Sequence, residues 1–196
     1  MLRYKINNYK EGVSMNIRPI QASDNQAIKR ILQTDLKVAH LDIPGTAYFD
    51  KNLDTLSQFY EKARRGYFVV VDDFQEVVGG AGFAEFDLEK NIAELQKLYL
   101  SKAAQGHRLS YQLISLVEQA AKNAGYDKLY LETHHNLKAA LHVYPKAGFT
   151  KLAGPCIAAL WMDFLLNHYT KTDHTSICMI CFFIYNIKTI TPNMLF

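Results

Sequence analysis

The chain is expected to fold as an α/β domain in which strands alternate with helices and one pair of strands is parallel. Three observations predict this. Ile92–Leu100 (IAELQKLYL) is apolar at nearly every position, as a central strand covered on both faces would be, although a helix is the alternative for those nine residues. It runs through the polar turn Ser101–His107 into a helix with Leu109, Leu113, Leu116, Val117 and Ala120 at helical spacing, closed by Asn123-Ala124-Gly125. Lys128–Thr133 (KLYLET) then alternates as a strand that should lie parallel to the first, because strands joined through a helix form a right-handed crossover.

The remaining elements follow in chain order. Residues before Met15 are polar and Asn/Lys-rich and read as an unstructured leader, 1–14; Lys10-Glu11-Gly12 suits a purine-rich ribosome-binding sequence ahead of a start at Met15. Met15–Ile20 alternates as a first strand, and Ser23 to Gln26 supplies a capping box for a helix carrying Ile28, Ile31, Leu32 and Leu36 to about His40. Leu41–Asp50 is a loop whose Tyr48 and Phe49 either pack locally or line a substrate entrance, local packing being preferred. Leu53, Leu56, Phe59, Tyr60 and Ala63 predict a second helix stopped at Gly66, and Tyr67–Asp72 with Val77–Phe86 predict a hairpin whose Gly79, Gly80 and Gly82 mark a bulge or a close backbone neighbour. Asn136 can cap a helix over Leu137–Lys146, and Phe149–Leu152 begins a further strand.

With 196 residues, 49% of them hydrophobic, one domain with a proper core is expected. The 22 basic and 19 acidic residues are spread along the chain without a basic stripe, so nucleic acid is not expected as a partner. No apolar core follows Arg3, Lys5 and Lys10, which argues against a signal peptide or membrane anchor and leaves a cytoplasmic location as the default. Cys156, Cys178 and Cys181 are odd in number and suit reduced, buried thiols; Cys178 and Cys181 lack the second pair that zinc needs. His134 and His135 are adjacent and should diverge at a strand end, and His107 and His142 have no partner four residues away, so no metal site is expected.

A strand entering a tight turn and then a helix points unpaired N–H groups and a positive dipole end at the turn, an arrangement suited to phosphate. The run Gln105-Gly106-His107-Arg108-Leu109-Ser110, behind Leu98-Tyr99-Leu100, resembles the pyrophosphate loop Gln/Arg-x-x-Gly-x-Gly/Ala of the GNAT superfamily of N-acetyltransferases. Arg108 stands where that pattern has its middle Gly, and Ser110 where it has the last small residue. Asn136, Ala139, Tyr144, Lys146, Gly148 and Phe149 resemble the second half of the same pattern, with Pro145 as a departure that should disturb the aim of Tyr144. Together these cover 15–152 and imply a GNAT-like mixed, mostly antiparallel central sheet with its parallel pair around the CoA loop, flanked by helices.

The resemblance implies an acetyl-CoA-dependent N-acetyltransferase acting on a primary amine of a small molecule or peptide. Acetyl-CoA would be held by the backbone from Gly106 to Ser110, by the strand at Leu98, Tyr99 and Leu100, and by Gln105, His107, Arg108, Leu109 and Asn136. An amine with an ordinary pKa near 10.4 needs a base, for which Glu94 on the central strand is the candidate and Glu85 the substitute. Tyr144 matches the family's general-acid Tyr, a core tyrosine being the other reading, and a noncatalytic acyl-CoA-binding module is the alternative function. The segment 153–196, with all the cysteines and Trp161, departs from the family; it is read as a frameshifted end with a helix-like run at Ile157–Leu166 and a strand within Ser176–Ile187, leaving an edge that favours a homodimer.

Overall fold

The computed structural model describes residues 4–6, 14–152 and 183–190. They fall into two compact units, one within Met1–Leu129 and Thr189–Phe196, the other within Tyr130–Lys188. Cys156, Cys178, Cys181, Trp161 and the helix-like run expected at Ile157–Leu166 lie outside the described residues.

The first unit is built on five strands in spatial order: β1 (Tyr4–Ile6), β2 (Met15–Pro19), β3 (Gly66–Val71), β4 (Val77–Asp87) and β5 (Ile92–Leu100). Each pairs antiparallel with the next. β4 is buried at every position from Gly79 to Ala84, so both of its faces are covered. α1 (Asn25–Val38) and the short α2 (Leu56–Tyr60) contribute Ile28, Leu56 and Tyr60 to a core shared with Tyr67, Val69, Val71 and Ala84. The period of two in β3, Tyr67, Val69 and Val71, is what turns those three side chains to one face.

Three expectations for this unit are corrected. Tyr4–Ile6, placed in the structureless leader, pairs with β2 at Tyr4↔Ile17 and Ile6↔Met15, because β2 otherwise offers an unpaired backbone edge. The start of the first helix is tied not by Ser23 and Gln26 but by Asp24, whose carboxylate accepts the Gln21 N–H at 2.7 Å and both arms of Arg18. The second helix is shorter than predicted, and Gly66 opens β3 instead of stopping a helix; the positive φ needed for the turn belongs to Arg64, at 63°.

α3 (Leu109–Asn123) ends as the sequence indicates. Gly125, at φ 87°, donates to the Lys122 carbonyl at 2.9 Å and Tyr126 to the Ala121 carbonyl at 3.1 Å, the double bond of a Schellman stop. The first helix ends on the same geometry with His40, at φ 58°, in place of glycine.

The second unit holds β6 (Lys128–His134, its first two residues in the first unit), α4 (Lys138–Lys146), β7 (Thr150–Lys151) and β8 (Phe183–Thr189). β8 comes from the segment read as frameshifted, stands next to β6 in the strand order and pairs antiparallel with β7 at Thr150↔Ile187. Leu137, not Asn136, takes the N-cap of α4; Asn136 lies in the preceding turn, its backbone N–H donating to the His134 ring at 3.1 Å. His134 and His135 do not diverge: their ring centroids are 4.4 Å apart, since the strand alternation stops at His134. Pro145 does not break α4, which continues to Lys146.

Candidate active site

The turn after β5 is shaped by two left-handed residues. Gly106 has φ 84°, and a Cβ built there would meet nothing within 4 Å, so that side of the loop is open. Arg108 has φ 58° and ψ 14° and is the N-cap residue of α3. The position where the resemblance expects glycine therefore keeps the glycine conformation, occupied by an arginine, with a strain of roughly 1–2 kcal/mol. Its carbonyl accepts the Tyr111 and Gln112 N–H groups, which leaves the first-turn amides ahead of them without an intrahelical acceptor. The Gln105 side chain donates to the Leu100 carbonyl at 3.2 Å and closes the loop, while Leu109 is buried as the helix anchor. Two buried atoms flanking the turn, Ser101 Oγ and Gln112 Oε1, have no hydrogen-bond partner among the described residues. An open, amide-lined turn with a cation beside it fits a pyrophosphate.

Glu94 lies six residues upstream on the same strand, half-buried. Its Oε2 accepts a 2.5 Å hydrogen bond from Gln96 Nε2, and Gln96 Oε1 accepts one from the Tyr60 hydroxyl at 2.9 Å. Immediately after Gln96 the β4–β5 register slips, from Gly82↔Gln96 to Gly80↔Tyr99, and Lys97 takes φ 51°. This bulge carries the Lys97 side chain to Asp50, with which it forms an ion pair. Beside it is a cleft of about 320 Å³ lined by Asp50, Lys51, Asn52, Phe59, Gln96 and Lys97. A larger groove of about 580 Å³ contains Arg18, Asp24, Arg30 and Glu76, but none of the residues to which the sequence points.

Glu85, the substitute base, is held by Arg65 through two hydrogen bonds, one of them 2.6 Å, which lower its pKa and make it a poor proton acceptor. In the second unit, Tyr144 is 7% exposed and its ring meets Phe149 edge-on at 5.7 Å. Gly148, at φ 88°, donates to the Pro145 carbonyl and Phe149 to the Tyr144 carbonyl, so the run Tyr144 to Phe149 is also a Schellman stop with its apolar contact. Burial pushes the Tyr144 hydroxyl well above the ordinary tyrosine range. His134 is held below its ordinary value by burial and, secondarily, by His135.

The acetyltransferase (GNAT) family model matches residues 26–149, more than half of the chain. This chain belongs to the GNAT family of acetyltransferases. A GNAT relative in Escherichia coli K12, the uncharacterized N-acetyltransferase YjgM, is 36% identical over 135 residues, 68% of this chain and 80% of its own. The GNAT acetyltransferase of Staphylococcus aureus Mu50 shares the fold with a TM-score of 0.69 at 17% identity, over 90% of this chain and 99% of its own. The phosphinothricin acetyltransferase of Sinorhizobium meliloti, solved in complex with acetyl-CoA, has a TM-score of 0.63 at 15% identity, over 90% and 88% of the two chains. The GNAT chain described here is thus an acyl-CoA-dependent acetyltransferase with the family's α/β fold.

Among the described residues no group of three or more His, Cys, Asp or Glu is placed to hold a metal, and no helix is long and apolar enough to cross a membrane. The structure brings Glu94, Leu98, Tyr99, Leu100 and Gln105 to Ser110 onto one strand-loop-helix element; Asn136 and Tyr144 belong to the second unit. Tyr48 and Phe49 pack edge-on at 4.9 Å, and it is Asp50, not these rings, that reaches the cleft. Sequence reasoning missed Tyr60, Gln96 and Lys97. The signal was the adjacent polar pair Gln96-Lys97 inside an apolar strand, which alternation cannot accommodate without a bulge.

Proposed function

We propose that this GNAT chain transfers acetyl from acetyl-CoA to a primary amine of a small molecule or peptide by direct attack. One observation carries the reading: β5 bears the Glu94 carboxylate near one end and runs into the open amide-lined turn at the other. Six residues of strand span about 20 Å, enough for an extended pantetheine arm lying along it between phosphates and reacting carbon. The backbone from Gly106 to Ser110 and the Arg108 guanidinium bind the pyrophosphate, Gln105 braces the turn, and Leu98 to Leu100 line the arm. Asn136 is assigned a contact to the same arm.

In the reaction the amine nitrogen attacks the thioester carbonyl carbon. A C–N bond forms, the C–S bond breaks, and a strand amide stabilises the developing oxyanion. Glu94 takes the ammonium proton, directly or through water, and Tyr144 returns a proton to the departing thiolate; solvent resets both.

The experiment is CoA release from acetyl-CoA across a panel of alkylamines, polyamines and amino acids. Glu94→Gln is expected to lower kcat/KM for the best amine by about a hundredfold or more, the usual contribution of a positioned base. Binding of acetyl-CoA without CoA release for every amine would refute the enzyme reading.

A further inference from the structure

Two buried tyrosines reach from α2 and β3 to the strand that carries Glu94. The Tyr60 and Tyr67 ring centroids are 5.1 Å apart; the Tyr60 hydroxyl donates to Gln96 Oε1 at 2.9 Å and the Tyr67 hydroxyl to the Lys97 carbonyl at 2.9 Å. The glycines of β4 make room for them. A Cβ at Gly80 would lie 2.6 Å from Tyr67 Cε1, and one at Gly82 would lie 2.5 Å from Tyr67 Cδ2 and 3.1 Å from Tyr60 Cε1. Gly80 and Gly82 are therefore the footprint of these rings and of the Phe68 and Gly66 carbonyls, whereas Gly79 faces Leu100 and the Tyr99 carbonyl.

Resting on the assignment of Glu94 as base, we propose that the cleft lined by Gln96 and Lys97 receives the amine and that Gln96 and Tyr60 are positioning residues that fix the Glu94 carboxylate beside it. Glu94 and Gln96 are two apart on β5 and share a face. A carboxylate only accepts, so Gln96 must present its NH2 end to Glu94 and its carbonyl oxygen to Tyr60. Both ends of the amide are thereby used, and a flip would lose the Glu94 bond by turning the amide oxygen onto the carboxylate. Tyr60 is itself buried, and burial raises its pKa, so its hydroxyl stays a donor. Because Gln96 also lines the cleft, the amide joins the wall that an acceptor meets to the carboxylate that takes its proton.

The test is a cycle of variants read as kcat and as KM for acetyl-CoA, with the best amine of the panel. Gln96→Met keeps length and volume and is expected to lower kcat about tenfold with KM for acetyl-CoA unchanged, within the range that misplacement of a reacting group produces. Tyr60→Phe acts in the same direction and more weakly, and Tyr60→Phe added to Gln96→Met causes no further loss, because the two act in series. The deciding comparison is Glu94→Gln with and without Gln96→Met: with no carboxylate to position, the second change should have no effect on kcat. An equal fall in both backgrounds, or no fall from Gln96→Met in the wild type, overturns the proposal while leaving Glu94 as base. Wild-type turnover in Glu94→Gln overturns the base, and the positioning with it. Should Tyr60→Phe fail to fold, the Glu94 and Gln96 cycle decides by itself, since Gln96 is only half-buried.

Discussion

Replacing Arg108 by glycine should push stability and cofactor affinity in opposite directions. Arg108 holds φ 58° and ψ 14° at the N-cap of α3, a conformation that costs an L-residue roughly 1–2 kcal/mol and glycine almost nothing. Glycine gives back about 0.4–1 kcal/mol through a more disordered unfolded chain, leaving a net gain of about 0.5–1 kcal/mol. At roughly 2–4 °C per kcal/mol for a chain of this size, the thermal midpoint of Arg108→Gly should rise by about 1–4 °C. The same change removes the guanidinium proposed to meet the pyrophosphate; an exposed charge-assisted contact near 1 kcal/mol corresponds to about fivefold weaker acetyl-CoA binding. Arg108→Ala separates the effects, since it loses the charge and keeps the strained backbone: affinity should fall equally with no gain in midpoint. Calorimetric titration and thermal unfolding of both variants are the assays. A lower midpoint in Arg108→Gly would refute the strain argument, and unchanged affinity in both variants would remove the guanidinium from the phosphate site.

Tyr144→Phe should lower kcat by about a hundredfold with little change in acetyl-CoA affinity, because a general acid acts mainly in the transition state; full turnover in steady-state assays would leave Tyr144 only its packing against Phe149. Gly82→Ala should destabilise the fold by about 1–3 kcal/mol in urea unfolding, since its Cβ would meet the Gly66 carbonyl oxygen at 2.6 Å as well as the Tyr67 ring; unchanged stability would show that the rings can retreat. His134 supplies a pH dependence: its folded pKa lies below the ordinary 6.5 because of burial, and its Nδ1 accepts the Asn136 N–H, so the unfolded chain takes up the proton first. Its contribution is complete above pH 6.5 and is lost as pH falls from there towards the folded value. Urea midpoints at pH 7.5 and 5.5 should therefore fall more for the wild type than for His134→Phe, and equal falls would contradict this assignment.

The α/β class, the strand Ile92–Leu100 to the residue, the helix behind it and its glycine stop were legible in the sequence, because each depends on local periodicity and on φ preferences that a single residue declares. The strand-loop-helix turn proposed to hold phosphate was legible as a turn for the same reason. What the sequence read incorrectly were local signals that the folded chain overrides: Asp24 ties the helix start where Ser23 and Gln26 were expected, and Asn136 lies in the turn ahead of α4, its backbone N–H on the His134 ring, with Leu137 at the N-cap. Only the tertiary structure decided that Glu85 belongs to Arg65, that Lys97 sits on a bulge facing Asp50, and that Tyr60, 36 residues away in sequence, bonds to the side chain beside Glu94. The physical reason is that hydrogen bonds and ion pairs between side chains depend on strand register and on which residues alternate to the same face. A glycine run such as Gly79-Gly80-Ala81-Gly82 announces that something approaches closely, but only the folded chain says that Gly80 and Gly82 meet the Tyr67 ring and neighbouring carbonyls while Gly79 meets Leu100 and the Tyr99 carbonyl.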